Sequence, residues 1–292
     1  MPSDMEAALA AERARLRSRL GRFGVWRGRP GVTPEYAAAA ERAGFGSVWI
    51  GGSPPADLAG VDAALAATER IVVATGIVNI WTADAGEVAE SVHRIDEAHP
   101  GRFVLGIGVG HPEREQRARK PYGAVVEYLD ALEARGVPPE RLALAALGDR
   151  MLALAGERTL GAHPYFTPPE HSRRAREVLG DSPLLIPEQR VALETEPAAA
   201  RSLLRPGMTS YFGLRNYRAN LLRLGFAEEE LDVERDDAID RLATWGEADR
   251  IRGRFAEHLE AGADHVLAQL ILPEGSDVAS GLERLAAILG LR

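Results

Sequence analysis

Between Phe103 and Pro112 the chain reads Phe-Val-Leu-Gly-Ile-Gly-Val-Gly-His-Pro, with glycine at every second position. Side chains of an extended strand face alternate ways, so Gly106, Gly108 and Gly110 leave one face bare while Leu105, Ile107 and Val109 fill the other. Bare backbone accepts a flat ring, although the same glycines would also make room for large inward side chains from neighbouring strands. His111 follows the strip, and an imidazole with an ordinary pKa of about 6.5 exchanges a proton at neutral pH. It is the candidate acid or base, against the plain alternative of a loop or capping histidine. The spacing is not the dinucleotide fingerprint, because the glycines end a strand and no acidic ribose partner follows at the expected offset.

A second glycine, Gly76, interrupts the β-branched run Ile71 to Asn79. Glycine inside a strand marks a bulge or a close approach, by a ligand beside Gly76, Ile77 and Asn79 or by a bulky protein neighbour. Further on, Gly148-Asp149-Arg150-Met151 opens a helical stretch whose free N–H groups, with Arg150, could hold a phosphate. Asp149 is also a standard N-cap that would occupy those same donors. Trp26, Trp49 and Trp81 end the first three strands and His163 lies near the top of a later one. Three indoles on one rim would line a substrate pocket for a planar group, and each alone would read as core packing.

Other chemistries fall away. The chain has no cysteine, which removes disulfides and thiolate catalysis, and Lys120 is its only lysine. Gly-x-Ser-x-Gly, His-Glu-x-x-His and P-loop motifs are missing, so serine-hydrolase and zinc-hydrolase readings are dropped and no metal site is expected.

The elements that must position these residues alternate short β-branched runs with longer Ala-rich segments of helical period, the pattern of βα units. After an opening helix, Ser3 to Arg19, the strands read Arg22 to Trp26, Ser47 to Ile50, Ile71 to Asn79, Phe103 to Gly110, Arg141 to Leu147, Leu160 to Phe166, Leu184 to Leu193 and His265 to Leu272. Eight strands suffice for a (β/α)₈ TIM barrel in the α/β class, with an open doubly wound sheet as the alternative. Residues 194–261 show helical segments and no strand, which reads as a helical insertion before the last strand, within one domain spanning residues 1–292. Such an insertion would cover the mouth or form a homodimer contact.

The length of 292 residues suits one barrel of about 250 residues plus an insertion. A net charge of -8 and dispersed arginines speak against a nucleic-acid partner. No apolar run reaches the roughly 18 residues of a membrane span, and the first residues lack a secretory pattern, so a cytoplasmic protein with a small-molecule substrate is expected.

Taken together, Ile71 to Gly110 resembles the luciferase-like superfamily, whose members bind FMN or the deazaflavin coenzyme F420 in a barrel. The resemblance rests on Ala74-Thr75-Gly76-Ile77-Val78, on Ile95-Asp96-Glu97-Ala98-His99-Pro100-Gly101-Arg102 and on Phe103 to Gly110, with a weaker likeness at Arg150 to Ala155. It is most similar to the F420-dependent branch. It implies a cis peptide between Gly76 and Ile77 behind the coenzyme ring, the fourth-strand glycines and His111 beside that ring, and the phosphate near Gly148 to Met151. Related sugar-phosphate dehydrogenases carry an Asp-His pair after the second strand, where this chain has Ile50-Gly51-Gly52-Ser53, and an acidic residue where it has His111. The expectation is an F420-dependent oxidoreductase moving hydride between the deazaflavin and a small organic substrate. The alternatives are an FMN-dependent monooxygenase and a non-catalytic flavin-binding protein, the last favoured by the missing pair.

Overall fold

The computed structural model describes residues 4–110, 120–232 and 235–291. Eight parallel strand positions form the centre: β1 (Phe23–Gly28), β2 (Ser47–Gly51), β3 (Val72–Thr75, resuming at Val78–Asn79), β4 (Phe103–Gly108), β5 (Leu142–Leu144), β6 (Gly161–Ala162), β7 (Leu184–Leu185, resuming at Glu188–Ala192) and β8 (Val266–Ile271). β1 pairs with both β2 and β8, with Val25 opposite Val48 and Ala268. The first part of β7 lies on β6 and the second on β8. Ile186 N–H donates to the Ala162 carbonyl at 2.9 Å, and Leu267 N–H donates to that of Pro187 at 2.9 Å. These bonds carry the ladder across the break in β7 and close the cylinder, so the barrel replaces the open sheet.

Alternation along the strands divides the core in two. Val25, Val48, Ile50, Val73, Phe103, Leu105 and Ile107 face the surrounding helices, whereas Trp26, Trp49, Ala74, Val104 and Leu267 face the barrel axis. The helix Asp4–Leu20 closes the end where the strands begin, inserting Leu9, Leu16 and Leu20 into the axial cluster. Its Arg13 is 7% exposed and donates to the carbonyls of Gly156 (2.5 Å), Thr159 (2.6 Å) and Leu160 (3.2 Å). Arg13→Ala should therefore destabilise the protein by about 3 kcal/mol, since buried acceptors lose charged donors. A shift of the urea midpoint worth less than about 1 kcal/mol would show that water replaces those bonds.

The insertion differs from expectation. Residues 194–261 do hold a strand, Ala243–Trp245, which pairs with the second part of β7 through Ala243 and Arg190. Three residues are too few for alternation to register, which is why the sequence hides it. The helix Ala248–Glu260 places Ile251 and Phe255 in the outer barrel core. The added helices thus run only from Pro197–Leu204 to Asp236–Leu242, around a separate apolar cluster that includes Phe166 and Ala192. Both anchors follow β6 or end β7, so the insertion stands at the C-terminal mouth of the barrel. Strands β5 and β6 are shorter than read from sequence, and Pro164, having no N–H, cannot extend β6 as a donor. Among the described residues no helix is long and apolar enough to cross a membrane.

Candidate active site

At that mouth lies a cleft of about 560 Å³. Its floor is the interruption of β3, where the Gly76–Ile77 peptide is cis. Gly76 N–H donates to the Ile50 carbonyl at 2.8 Å, and the Trp26 indole N–H donates to the Gly76 carbonyl at 3.0 Å. A Cβ at position 76 would stand 2.8 Å from Trp26 Nε1 and 3.1 Å from His163 Nε2. Two rings closing over this Cα leave room only for glycine. The Ile77 side chain and Asn79 complete that wall.

The glycine triplet of β4 has a different role from the one its spacing implies. Gly106 and Gly108 do not line the cleft; Gly110 does, with φ at +58° and the Asn79 amide nitrogen 2.5 Å from where a Cβ would be. A Cβ on Gly106 would overlap the Thr75 carbonyl oxygen and lie 3.4 Å from the Trp49 ring, whereas one on Gly108 would meet Ala145 (2.9 Å) and Ile77 (3.2 Å). The strip is filled at Gly106 by the turned-in carbonyl at the break in β3 and an inward indole and at Gly108 by Ala145 and Ile77, and only its end at Gly110 opens to the cleft. The three tryptophans also separate. Trp26 lines the cleft, Trp49 is buried below it against His163 (ring centroids 4.6 Å apart), and Trp81 packs on the outer core. His111 lies outside the described residues.

At the other end of the cleft, Gly148 is the N-cap of the helix Asp149–Arg158 and makes no side-chain cap bond. Asp149 is therefore not the cap. Its carboxylate pairs with Arg174 at 2.6 Å, which lowers its pKa through that hydrogen bond, and Arg150 stacks on Tyr122 at 4.4 Å. Gly148 and Met151 line the cleft, while Asp149 and Arg150 do not.

The remaining wall was not read from the sequence. Tyr165 follows β6, and Tyr211, Asn216 and Tyr217 come from the insertion. Tyr165 packs on Trp26 (5.0 Å) and Tyr211 (5.3 Å), and Tyr211 on Tyr217 edge to face (5.1 Å). The Tyr165 hydroxyl donates to Gln269 Oε1 (3.0 Å) and accepts from Arg190 (2.9 Å). Behind it Glu188 is 2% exposed, and burial raises its carboxyl to about 7 against the pull of Arg190. The only cue in the sequence was the aromatic run His163-Pro164-Tyr165-Phe166 and its counterpart Tyr211-Phe212.

A family model described as luciferase-like monooxygenase matches residues 14–136, the part of the chain that builds β1 to β4. Over that stretch the chain is similar to the luciferase-like monooxygenases. The chain is 32% identical over 97 residues to an F420-dependent glucose-6-phosphate dehydrogenase of Nakamurella multipartita, covering 30% of the chain and 29% of that protein. It is 29% identical over 166 residues to a Mycobacterium tuberculosis protein described as a coenzyme F420-dependent oxidoreductase, covering 52% and 46%. The alignments thus span less than half the length of these curated relatives. Among solved structures, an F420-dependent secondary alcohol dehydrogenase in complex with an F420-acetone adduct superposes with a TM-score of 0.73 at 16% identity, covering 93% of this chain and 98% of that one. The oxygenating constituent of 3,6-diketocamphane monooxygenase of Pseudomonas putida, in complex with FMN, superposes with a TM-score of 0.67 at 15% identity, covering 92% and 98%.

At the end of β2 the chain carries glycine where the Trp26 ring closes in. A Cβ on Gly51 would overlap the Trp26 ring, so glycine there is the condition for the indole to reach Gly76. Ser53, in a left-handed conformation at φ 51°, and Gly52 line the cleft beside it. No acid-base pair stands at Gly51-Gly52-Ser53, and among the described lining residues none is Asp, Glu, Lys or Arg.

Proposed function

We propose that the protein is a coenzyme F420-dependent oxidoreductase acting on a small organic substrate at this cleft. The observation that carries the reading is the cleft of about 560 Å³ at the mouth of the barrel, bounded by Ile77 at the break in β3 and by Trp26 and the tyrosines, where a flat ring fits between Ile77 and the aromatic wall. Its residues fit the coenzyme at both ends. Ile77 and the Gly76 backbone would support the ring, Gly110 leaves its edge clear, and the start of the helix behind Gly148, which has no side-chain cap, would receive the phosphate, with the Asp149 charge already neutralised by Arg174. When bound, the deazaflavin supplies hydride exchange, and the protein contributes orientation and exclusion of water. The F420-dependent relatives favour this coenzyme over FMN, which the monooxygenase neighbour carries.

Titration with coenzyme F420 and with FMN, followed by absorbance, tests the choice. Saturable binding of F420 with weaker or no FMN binding is expected, and selective FMN binding would move the protein to the monooxygenase reading. A variant separates the phosphate end from mere helix packing. Gly148 has open space around it and ordinary extended dihedrals, φ -94° and ψ 154°, so Gly148→Asp introduces a capping carboxylate without strain. It should stabilise the helix by a few tenths of a kcal/mol. The same carboxylate occupies the N–H groups and repels phosphate, so F420 affinity should fall at least about tenfold, or 1.4 kcal/mol. Unchanged affinity in a stabilised variant would place the phosphate elsewhere.

A further inference from the structure

The polar atoms of the cleft are mostly committed within the protein. Trp26 Nε1 is engaged by the Gly76 carbonyl, and the Tyr165 hydroxyl by Gln269 and Arg190. His163 differs from these in carrying a buried ring nitrogen with no partner. Its ring is 2% exposed, lines the cleft, and bonds through Nδ1 to the Ile186 carbonyl at 2.8 Å, while its buried Nε2 has no partner. A carbonyl oxygen can only accept, so Nδ1 carries the proton and Nε2 presents a bare lone pair. Nε2 points to the floor, 3.1 Å from where a Gly76 Cβ would be. Burial lowers the imidazole to about 4, so it stays neutral, an acceptor and not a donor, at any ordinary working pH.

Around this acceptor the described lining is uncharged and largely aromatic and apolar, with Ser53, Asn79 and Asn216 as its other polar side chains besides the tyrosines. Tyr165, Tyr211 and Tyr217 present one continuous wall opposite the floor, and the described lining residues include no cation to hold a phosphate or carboxylate of a substrate. We propose that the substrate is an uncharged, ring-bearing alcohol, whose hydroxyl donates to His163 Nε2 while its ring packs on the Tyr165–Tyr211–Tyr217 wall. The proposal rests on the coenzyme reading and specifies the substrate class of the same cleft. His163 acts as a binding and positioning group that recognises the alcohol and not the ketone, because a ketone brings a second lone pair to the same place.

The test uses probes that do not react. Coenzyme F420 binding is established first by absorbance. The oxidised holoprotein is then titrated calorimetrically with 2-phenyl-2-propanol, which has a hydroxyl but no carbinol hydrogen to transfer, with acetophenone, and with glucose 6-phosphate. The alcohol should bind at least tenfold more tightly than acetophenone, and glucose 6-phosphate should not bind. His163→Leu should abolish the preference and His163→Gln, which can still accept, should restore part of it. In protein labelled with ¹⁵N-histidine, the Nε2 resonance should shift with the alcohol and not with the ketone. Equal affinity for alcohol and ketone, a preference that survives His163→Leu, or tighter binding of glucose 6-phosphate would each overturn the proposal while leaving the coenzyme reading intact. Failure of F420 to bind would overturn both.

Discussion

Gly106→Ala should lower the stability of the protein by about 3 kcal/mol, the upper end of what overpacking a core position costs, and lower the melting temperature by about 5 °C. The added methyl would overlap the Thr75 carbonyl oxygen, which is backbone and cannot rotate away. Thr75 also ties the two strands by donating its hydroxyl to the Gly106 carbonyl at 2.8 Å, so relief requires β3 and β4 to separate where β3 breaks. Gly108→Ala is the matched control. Its methyl would meet Ala145 Cβ at 2.9 Å, which is fixed to its backbone and must shift a little, and Ile77 at 3.2 Å, which can change rotamer, so a smaller loss of about 2 kcal/mol is expected. Because Ile77 lines the cleft, the control should also weaken coenzyme binding more than it weakens the fold. Equal losses for the two variants in urea unfolding would mean that the break in β3 is soft and does not depend on a glycine opposite.

That pair of positions also shows what a sequence can and cannot convey about this barrel. Glycine at every second residue reads correctly as one bare strand face, since alternation is local geometry. What occupies the bare face depends on barrel register, because Trp49 comes from β2 and the Thr75 carbonyl from β3. The eight strands were visible in outline, being β-branched runs bounded by glycine, whereas Ala243–Trp245 was too short to see. At the phosphate end the candidate segment is at the cleft, but the cap lies one residue earlier than Asp149, and this moves the carboxylate from the helix start to Arg174. The tyrosine wall was missed for a similar reason. Tyr211 and Tyr217 lie about 50 residues beyond Tyr165, and only the folding of the insertion back over the mouth brings the three rings together. His163 was legible as a strand-end histidine, while its tautomer is set by a carbonyl on β7's break.

Acid should unfold this protein well above the carboxylate range, by about 5 kcal/mol of lost stability between pH 7 and pH 5, a large share of the 5–15 kcal/mol typical of a folded protein. Four histidines are at most 2% exposed: His163, His171, His258 and His265. Burial lowers each, to about 4 for His163, His171 and His265 and to about 3 for His258, where the charge of Arg254 adds to it. Unfolded, each returns to an ordinary value of about 6.5. Between those values the unfolded chain binds more protons than the folded one, so their stabilisation is complete above about pH 6.5 and drains away as the pH falls toward 4. At pH 5 each histidine has lost about 2 kcal/mol. Glu188 works in the opposite sense. Its carboxyl, raised to about 7, is protonated in the folded protein before the unfolded one, so it returns about 2 kcal/mol over the same interval and leaves the net figure near 5. Urea midpoints measured from pH 7.5 to 4.5 should fall steeply below 6.5. His265→Gln removes one titrating ring that bonds Ser47 at 2.7 Å and the Gly21 carbonyl at 2.9 Å, and should flatten the decline by about 2 kcal/mol even if it lowers stability at pH 7. A wild-type profile that stays level down to pH 5, or a variant whose slope matches the wild type, would mean that these rings take up protons without opening the fold.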